Sequence, residues 1–139
     1  EGMPYTKDDR MKIAERLING LQQNDVPLDN IYVDPLVQPI GSGDNFGIEF
    51  LNTIEALNKE FEGVHTICGL SNISFGIPKR KLANQTFMTM AITKGLDSAI
   101  MNPLDKKMMA NIIATETLLG RDPFCENYMN SYRDGMFDF

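Results

Sequence analysis

The chain has 139 residues, 42% of them hydrophobic, which suits one ordinary globular domain with a buried core and excludes a disordered segment. A formal net charge of −6 and a pI near 4.7 exclude a phosphate-neutralising surface, so proteins or small molecules are expected as partners, not nucleic acid or anionic membrane. No apolar run approaches the roughly 20 residues that cross a bilayer, and the opening residues lack a basic-then-apolar signal pattern, so a cytoplasmic location is expected.

In chain order, "TKDDRMKIAERLINGLQQ" (6–23) comes first and predicts a helix, with Ala14, Leu17, Ile18 and Leu21 on one stripe and Thr6 placed as its amino-terminal cap. The strand-length run "NIYVDPLV" (30–37) follows, then the loop "PIGSGDNFG" (39–47). Glycines between a strand and a helix often cradle phosphate, but this stretch matches neither GxGxxG nor the P-loop and is read as a flexible, helix-initiating loop. Residues 44–61 predict a second helix through Phe50, Leu51, Ile54, Leu57 and Phe61. A second strand, "VHTICGLS" (64–71), breaks into a Phe-Gly-Ile-Pro loop that ends at Lys79 and Arg80. A helix over 81–94 carries Phe87, Met90 and Ala91 and is closed by Gly95. The strand "LDSAIMNP" (96–103) leads to a helix over 106–119 with Met108, Met109, Ile112, Ile113 and Leu119, closed by Gly120. The tail from 123 to 133 predicts one more short helix around Phe124, Tyr128 and Tyr132.

A strand–helix repeat of about 30 to 40 residues is the size of a βα unit, and helical crossovers make the strands parallel. An open doubly wound sheet and a (β/α) barrel both satisfy this order, and both collect ligands at the carboxyl ends of the strands. Those ends carry Asp34, then Ser71 and Asn72, then Asn102. Three strands cannot close an eight-stranded barrel, so open sheet edges and uncovered apolar faces are expected, and the chain reads as the second half of something larger.

Each rim residue has two readings. Asp34 can accept two parallel hydrogen bonds from a planar N–H/NH₂ edge, or cap the turn within "DP". Asn72 can follow a ligand nitrogen through a change of protonation because its amide both donates and accepts; it is equally a turn residue. Lys79 and Arg80 can grip an anionic tail or stand solvated. Two buried thiols are expected for Cys68 and Cys125, a core-filling role for most of the nine methionines, and a structural role for His65, the only histidine, at the far end of its strand from the rim. No Ser-His-Asp set, GxSxG motif or metal-ligand cluster is visible.

The segments "IYVDPLVQPIGSG", "CGLSNISFGIPKR", "NQTFMTMAITKGLDSAIMNPLD" and "LLGRDPFCENY" together resemble the carboxyl-terminal half of the methyltetrahydrofolate-corrinoid methyltransferases, pterin-binding relatives of dihydropteroate synthase and of the folate module of cobalamin-dependent methionine synthase. The resemblance runs from about Gly2 to Tyr128 and keeps the family's order of motifs. It implies that residues 1–139 are a partial pterin-binding domain, the carboxyl-terminal half of a TIM (β/α)8 barrel, with three parallel strands and four helices forming a fragment of the whole. By the same resemblance Asp34 holds the amino-pyrimidine edge of the pterin. Gly69, Leu70 and Ser71 line its face, and Asn72 reaches N5, the nitrogen that bears the methyl group. Arg80 lies near the substrate's tail, and Ile100 forms an apolar wall. Phe75 stands where some members have a polar residue, and the aspartate and asparagine that earlier strands supply have no counterpart.

The implied reaction moves a methyl group between N5 of methyltetrahydrofolate and the cobalt of a corrinoid. No DxHxxG motif is present, so the cobalamin or other corrinoid is expected on a partner protein. A homodimer, and a separate amino-terminal half of the barrel, are further partners that the resemblance suggests. Two alternatives compete: a non-catalytic fragment, and a dihydropteroate-synthase-like enzyme, which "GLSN" disfavours because a lysine would be expected in that strand region.

Overall fold

The computed structural model describes residues 2–139 and contains three parallel strands and five α-helices. Helix α1 (Lys7–Gln23) starts at Thr6, whose Oγ1 accepts the Asp9 amide at 3.1 Å, while Asp8 and Asp9 place negative charge at the positive end of the helix. Its buried stripe is Met11, Ala14 and Ile18, joined by Arg10; Leu17 and Leu21 of the expected stripe face solvent, because only a narrow side of α1 meets α2 (Phe46–Glu60).

Strand β1 (Tyr32–Val33), strand β2 (His65–Gly69) and strand β3 (Ser98–Ile100) lie side by side in that order. Tyr32 stands opposite His65, Ile67 opposite Ser98 and Gly69 opposite Ile100. All three are shorter than the apolar runs suggest. In β1 the cause is local: Pro35 offers no N–H to a ladder, and Leu36 turns the chain with φ +70.

Helix α3 (Arg80–Lys94) ends at Gly95, whose φ of +112 lets its amide reach the carbonyls of Ala91 and Ile92. Asn58 packs against that glycine and donates to the Lys94 carbonyl at 3.1 Å, which ties α2 to the turn before β3. Helix α4 (Lys106–Leu118) starts at Asp105, which accepts the Met108 amide. The tail helix α5 (Glu126–Arg133) follows, so the count is five and not four.

The core lies on one side of the sheet. Cys68 packs among Phe50, Ile54, Leu70, Phe87, Met88 and Met108, with the Phe50 and Phe87 rings 5.4 Å apart, and a second cluster of Ile18, Ile31, Leu57 and Val64 sits beneath α1. Each such fully buried side chain contributes roughly 1.5–3 kcal/mol. The alternation along β2 shows that the other face is uncovered: Thr66 and Cys68 are fully buried, whereas Gly69 is exposed and a methyl group added to it would meet nothing within 4 Å. On the same face Ile100, 69% exposed, stands opposite Gly69, and Tyr32, 55% exposed, stands opposite His65 at the other end of β2. The open edges and bare face expected from three strands are therefore present. Among the described residues no helix is long and apolar enough to cross a membrane.

Candidate functional site

The carboxyl ends of the three strands point the same way because the strands are parallel, so Asp34, the Gly69–Asn72 segment and Ile100 share one end of the molecule. The loop after β1 is tightly built. Asp34 is exposed, and its Oδ1 accepts the amide of Leu36 at 2.9 Å, which is the turn-capping geometry of an aspartate before proline. Oδ2 makes no hydrogen bond among the described residues, so half of the carboxylate remains available.

Leu70 to Ser74 form a 3₁₀ turn directly after β2, with Leu70, Ile73 and Ser74 buried and Ser71 and Asn72 exposed. Leu70 and Ile73, one 3₁₀ turn apart, anchor the segment to the core and leave Ser71 and Asn72 at the rim. Asn72 Nδ2 donates to the carbonyl of Val37 at 2.5 Å, which joins this turn to the Asp34 loop and orients the amide. Arg80 braces the same turn from α3: Nε donates to Ser74 Oγ at 3.0 Å and Nη2 to the Ser71 carbonyl at 2.9 Å. Its guanidinium also lies 5.9 Å from the centre of the Phe75 ring, which is 63% exposed. Arg80 is thus bound into the loop and is not a freely solvated cation. Lys79 precedes it in a left-handed conformation, φ +55.

On the third strand Ile100 projects from the open face beside Gly69. Asn102 closes its own turn, with Oδ1 accepting the Leu104 amide at 3.0 Å. The expected rim residues are therefore brought to one end of the sheet, and Asp34 and Asn72 are linked through the four-residue path Asp34–Val37.

His65 lies at the opposite end of β2. Its Nδ1 is 2.6 Å from Asp97, whose other oxygen accepts the Thr66 amide at 3.0 Å, and its ring stacks on Tyr32 at 4.5 Å. The hydrogen bond to Asp97 raises the His65 pKa, against a partial opposing effect of desolvation. This is a structural clamp between β2 and β3, as expected of a histidine remote from the rim. Of the two thiols expected to be buried, only Cys68 is. Cys68 is buried, and burial together with the nearby Asp34 charge pushes its pKa up to about 12. Cys125 is exposed because it lies in the left-handed turn before α5, outside the core.

Sequence reading missed three contributors: the Val37 carbonyl, Gln38 and Arg10. A backbone acceptor leaves no trace in residue type. Arg10 looks like any charged residue on a surface helix, yet only 5% of it is exposed; burial lowers its pKa, against the opposing charge of Glu49. The one hint was its place beside Met11 on the buried side of α1.

Among the described residues no group of His, Cys, Asp and Glu is arranged to hold a metal ion. A cavity of about 730 Å³ runs along the open side of β3 between α3 and α4, from Asp97 at one end of the strand to Met101 and Pro103 at the other, and is lined by Met88, Ile92, Met109 and Ile112. Among the described residues the only strand partner of β3 is β2, so its other edge is open to this cavity.

Residues 3–102, well over half of the chain, match the family described as "Pterin binding enzyme". The chain is 35% identical over 134 residues, 96% of its length, to the methylcorrinoid:tetrahydrofolate methyltransferase of Eubacterium limosum, and spans 49% of that protein. It is also 38% identical over 109 residues to the methionine synthase of Mycobacterium tuberculosis and 37% identical over 109 residues to that of Mycobacterium leprae, in each case over 73% of this chain and 9% of the relative. The chain thus spans about half the length of one curated relative and a small part of the others.

Proposed function

Because the chain belongs to the pterin binding enzyme family, we propose that it forms the carboxyl-terminal half of a (β/α)8 barrel that moves a methyl group between N5 of methyltetrahydrofolate and a corrinoid carried on a partner protein. The observation that carries this reading is the hydrogen bond from Asn72 to Val37, which unites the loops of β1 and β2 at the end of the sheet where such enzymes bind their ligands. The names of the relatives support the substrate: one acts on a methylcorrinoid and tetrahydrofolate.

In this reading Asp34 receives the pterin's amino-pyrimidine edge. A carboxylate accepts a pair of parallel N–H bonds, and Asp34 retains the capacity to do so with Oδ2 and the second lone pair of Oδ1. Gly69 contributes the absence of a side chain, since the space beyond it is open to a flat ring. Leu70 and Ser71 hold the backbone that borders the ring, Arg80 fixes that backbone and faces the substrate tail, and Ile100 walls the far side.

Asn72 supplies the chemical assistance. An amine-bound methyl group is a poor electrophile because its departure leaves negative charge on nitrogen, and protonation of N5 removes that obstacle. With Nδ2 committed to Val37, Asn72 Oδ1 is oriented to accept a hydrogen bond from protonated N5. Such a bond strengthens as the proton arrives, so it stabilises the transition state more than the ground state, and the neutral amide needs no pKa adjustment of its own. The corrinoid, when docked, supplies cobalt in its lowest oxidation state as the nucleophile.

The open face and the unpaired edges of β1 and β3 are accounted for as surfaces that the remaining strands of the barrel cover, whether on the same polypeptide or another. Isothermal titration with methyltetrahydrofolate tests the proposal. Saturable binding that is lost in Asp34→Asn supports it; no binding, even with the preceding strands supplied in the same solution, would overturn it.

A further inference from the structure

Leu36 has a φ of +70, a region that a bulky side chain enters only when its surroundings hold it there. Three hydrogen bonds surround this residue. Asp34 Oδ1 accepts its amide, Val37 is held by Asn72, and Gln38 Oε1 accepts from Arg10 Nη2 at 3.1 Å. Arg10 reaches Gln38 from α1, and its Nε donates to the Pro4 carbonyl at 3.0 Å. Nη1 has no hydrogen-bond partner among the described residues, although the side chain is almost wholly buried. Burying a guanidinium is costly, and a neutral residue could pack the same space at less cost. What a neutral packing residue could not do is fork between Pro4 and Gln38. Arg10, Asp34, Pro35, Leu36 and Thr53 together line a small cavity of about 80 Å³, so the cation stands directly behind the loop that presents the carboxylate.

We propose that Arg10 is a positioning residue for the candidate site: by holding Gln38 it fixes the Leu36 turn and with it the direction in which Asp34 presents its carboxylate to the ligand. The assignment of a ligand to Asp34 rests on the function proposed above; the brace itself is a property of this chain. Arg10 touches no substrate in this scheme and acts only through the loop.

The test uses Arg10→Lys and Gln38→Leu, singly and together, in the chain as it stands. Hydrogen exchange is followed at the Leu36 and Ile54 amides, and methyltetrahydrofolate affinity by calorimetry. Lysine keeps the charge but cannot fork to both acceptors. Gln38→Leu leaves Arg10 in place and serves if Arg10→Lys does not fold. Exchange at Leu36 is expected to quicken about tenfold in either single variant, as for loss of one hydrogen bond, with no further change in the double variant and none at Ile54. The dissociation constant for methyltetrahydrofolate rises by a similar factor. Gln38→Glu, which offers Arg10 a charged acceptor, keeps the Leu36 amide protected. Unchanged exchange at Leu36 in Gln38→Leu, or an equal loss of protection at Leu36 and Ile54, would overturn the proposal. If the parent chain binds no methyltetrahydrofolate, the proposed function fails, and exchange at Leu36 still decides the role of Arg10.

Discussion

The side-chain amide of Asn72 donates to the backbone carbonyl of Val37 at 2.5 Å, so two loops that are 35 residues apart in sequence form one rim. The bond uses one half of the amide and aims the other. Two strand ends are thereby fixed relative to each other without any charged residue at the joint.

Replacing Asn72 with alanine removes the joint to Val37 and, in the proposed function, the acceptor for N5. In a protein containing the complete barrel, Asn72→Ala is expected to slow methyl transfer by about 2–4 kcal/mol of barrier, the range for loss of one preorganised polar partner. Single-turnover rates check it, and an unchanged rate would remove Asn72 from the chemistry.

The clamp between His65 and Asp97 gives a pH dependence of definite sign. Because the folded pKa of His65 is raised by its bond to Asp97, the clamp's contribution to stability is fully present below the ordinary histidine value of 6.5 and is lost as pH rises through the folded pKa. His65 is the sole histidine, so its ring resonances can be titrated without ambiguity. Asp97→Asn should bring the midpoint down and flatten the stability profile across that window.

The two thiols should react at very different rates. Cys125 is exposed, whereas Cys68 is buried with a pKa near 12 and is therefore almost entirely in the unreactive thiol form at neutral pH. A thiol reagent added to the native chain should modify Cys125 promptly and Cys68 only on unfolding. Prompt reaction of both, with the fold intact by circular dichroism, would contradict the burial of Cys68.

Phe50 is fully buried against Phe87 at the centre of the larger core cluster. Phe50→Ala should lower stability by about 3–5 kcal/mol, combining lost transfer energy with the cavity left behind. Denaturant unfolding measures it. A change below about 1 kcal/mol would mean that the core closes around the gap.

The bare sheet face and unpaired edges carry an expectation for the chain alone, which should self-associate or melt over a broad range. Analytical ultracentrifugation and thermal scanning check this together. A monomer with a sharp transition would show that the open face is tolerated.

Much of the fold was legible because it rests on local signals. Thr6 and Gly95 mark helix ends through their own side-chain or backbone freedom, and the strand–helix repeat dictates parallel pairing. Strand length was not legible: a strand pairs only as far as its neighbour does, and Leu36 leaves the extended region despite sitting in an apolar run. Burial of single residues was also hidden. Leu17 and Leu21 look like core and are exposed, whereas Arg10 looks like surface and is buried, because the width of a helix contact is set by the neighbouring element. At the site, residue type pointed to Asp34 and Asn72, while the acceptor that joins them is a main-chain oxygen that no sequence pattern records.

Asp34 and Asn72 are proposed to grip one flat heterocycle at the rim they share. The most direct measurement is a titration of the isotopically labelled chain with methyltetrahydrofolate, following every backbone amide by NMR, since this maps contacts even when affinity is weak. Shifts concentrated at Asp34, Gly69, Ser71, Asn72 and Ile100 are expected. Saturating shifts confined to the other end of the sheet around His65, or to the groove between α3 and α4, would contradict the account.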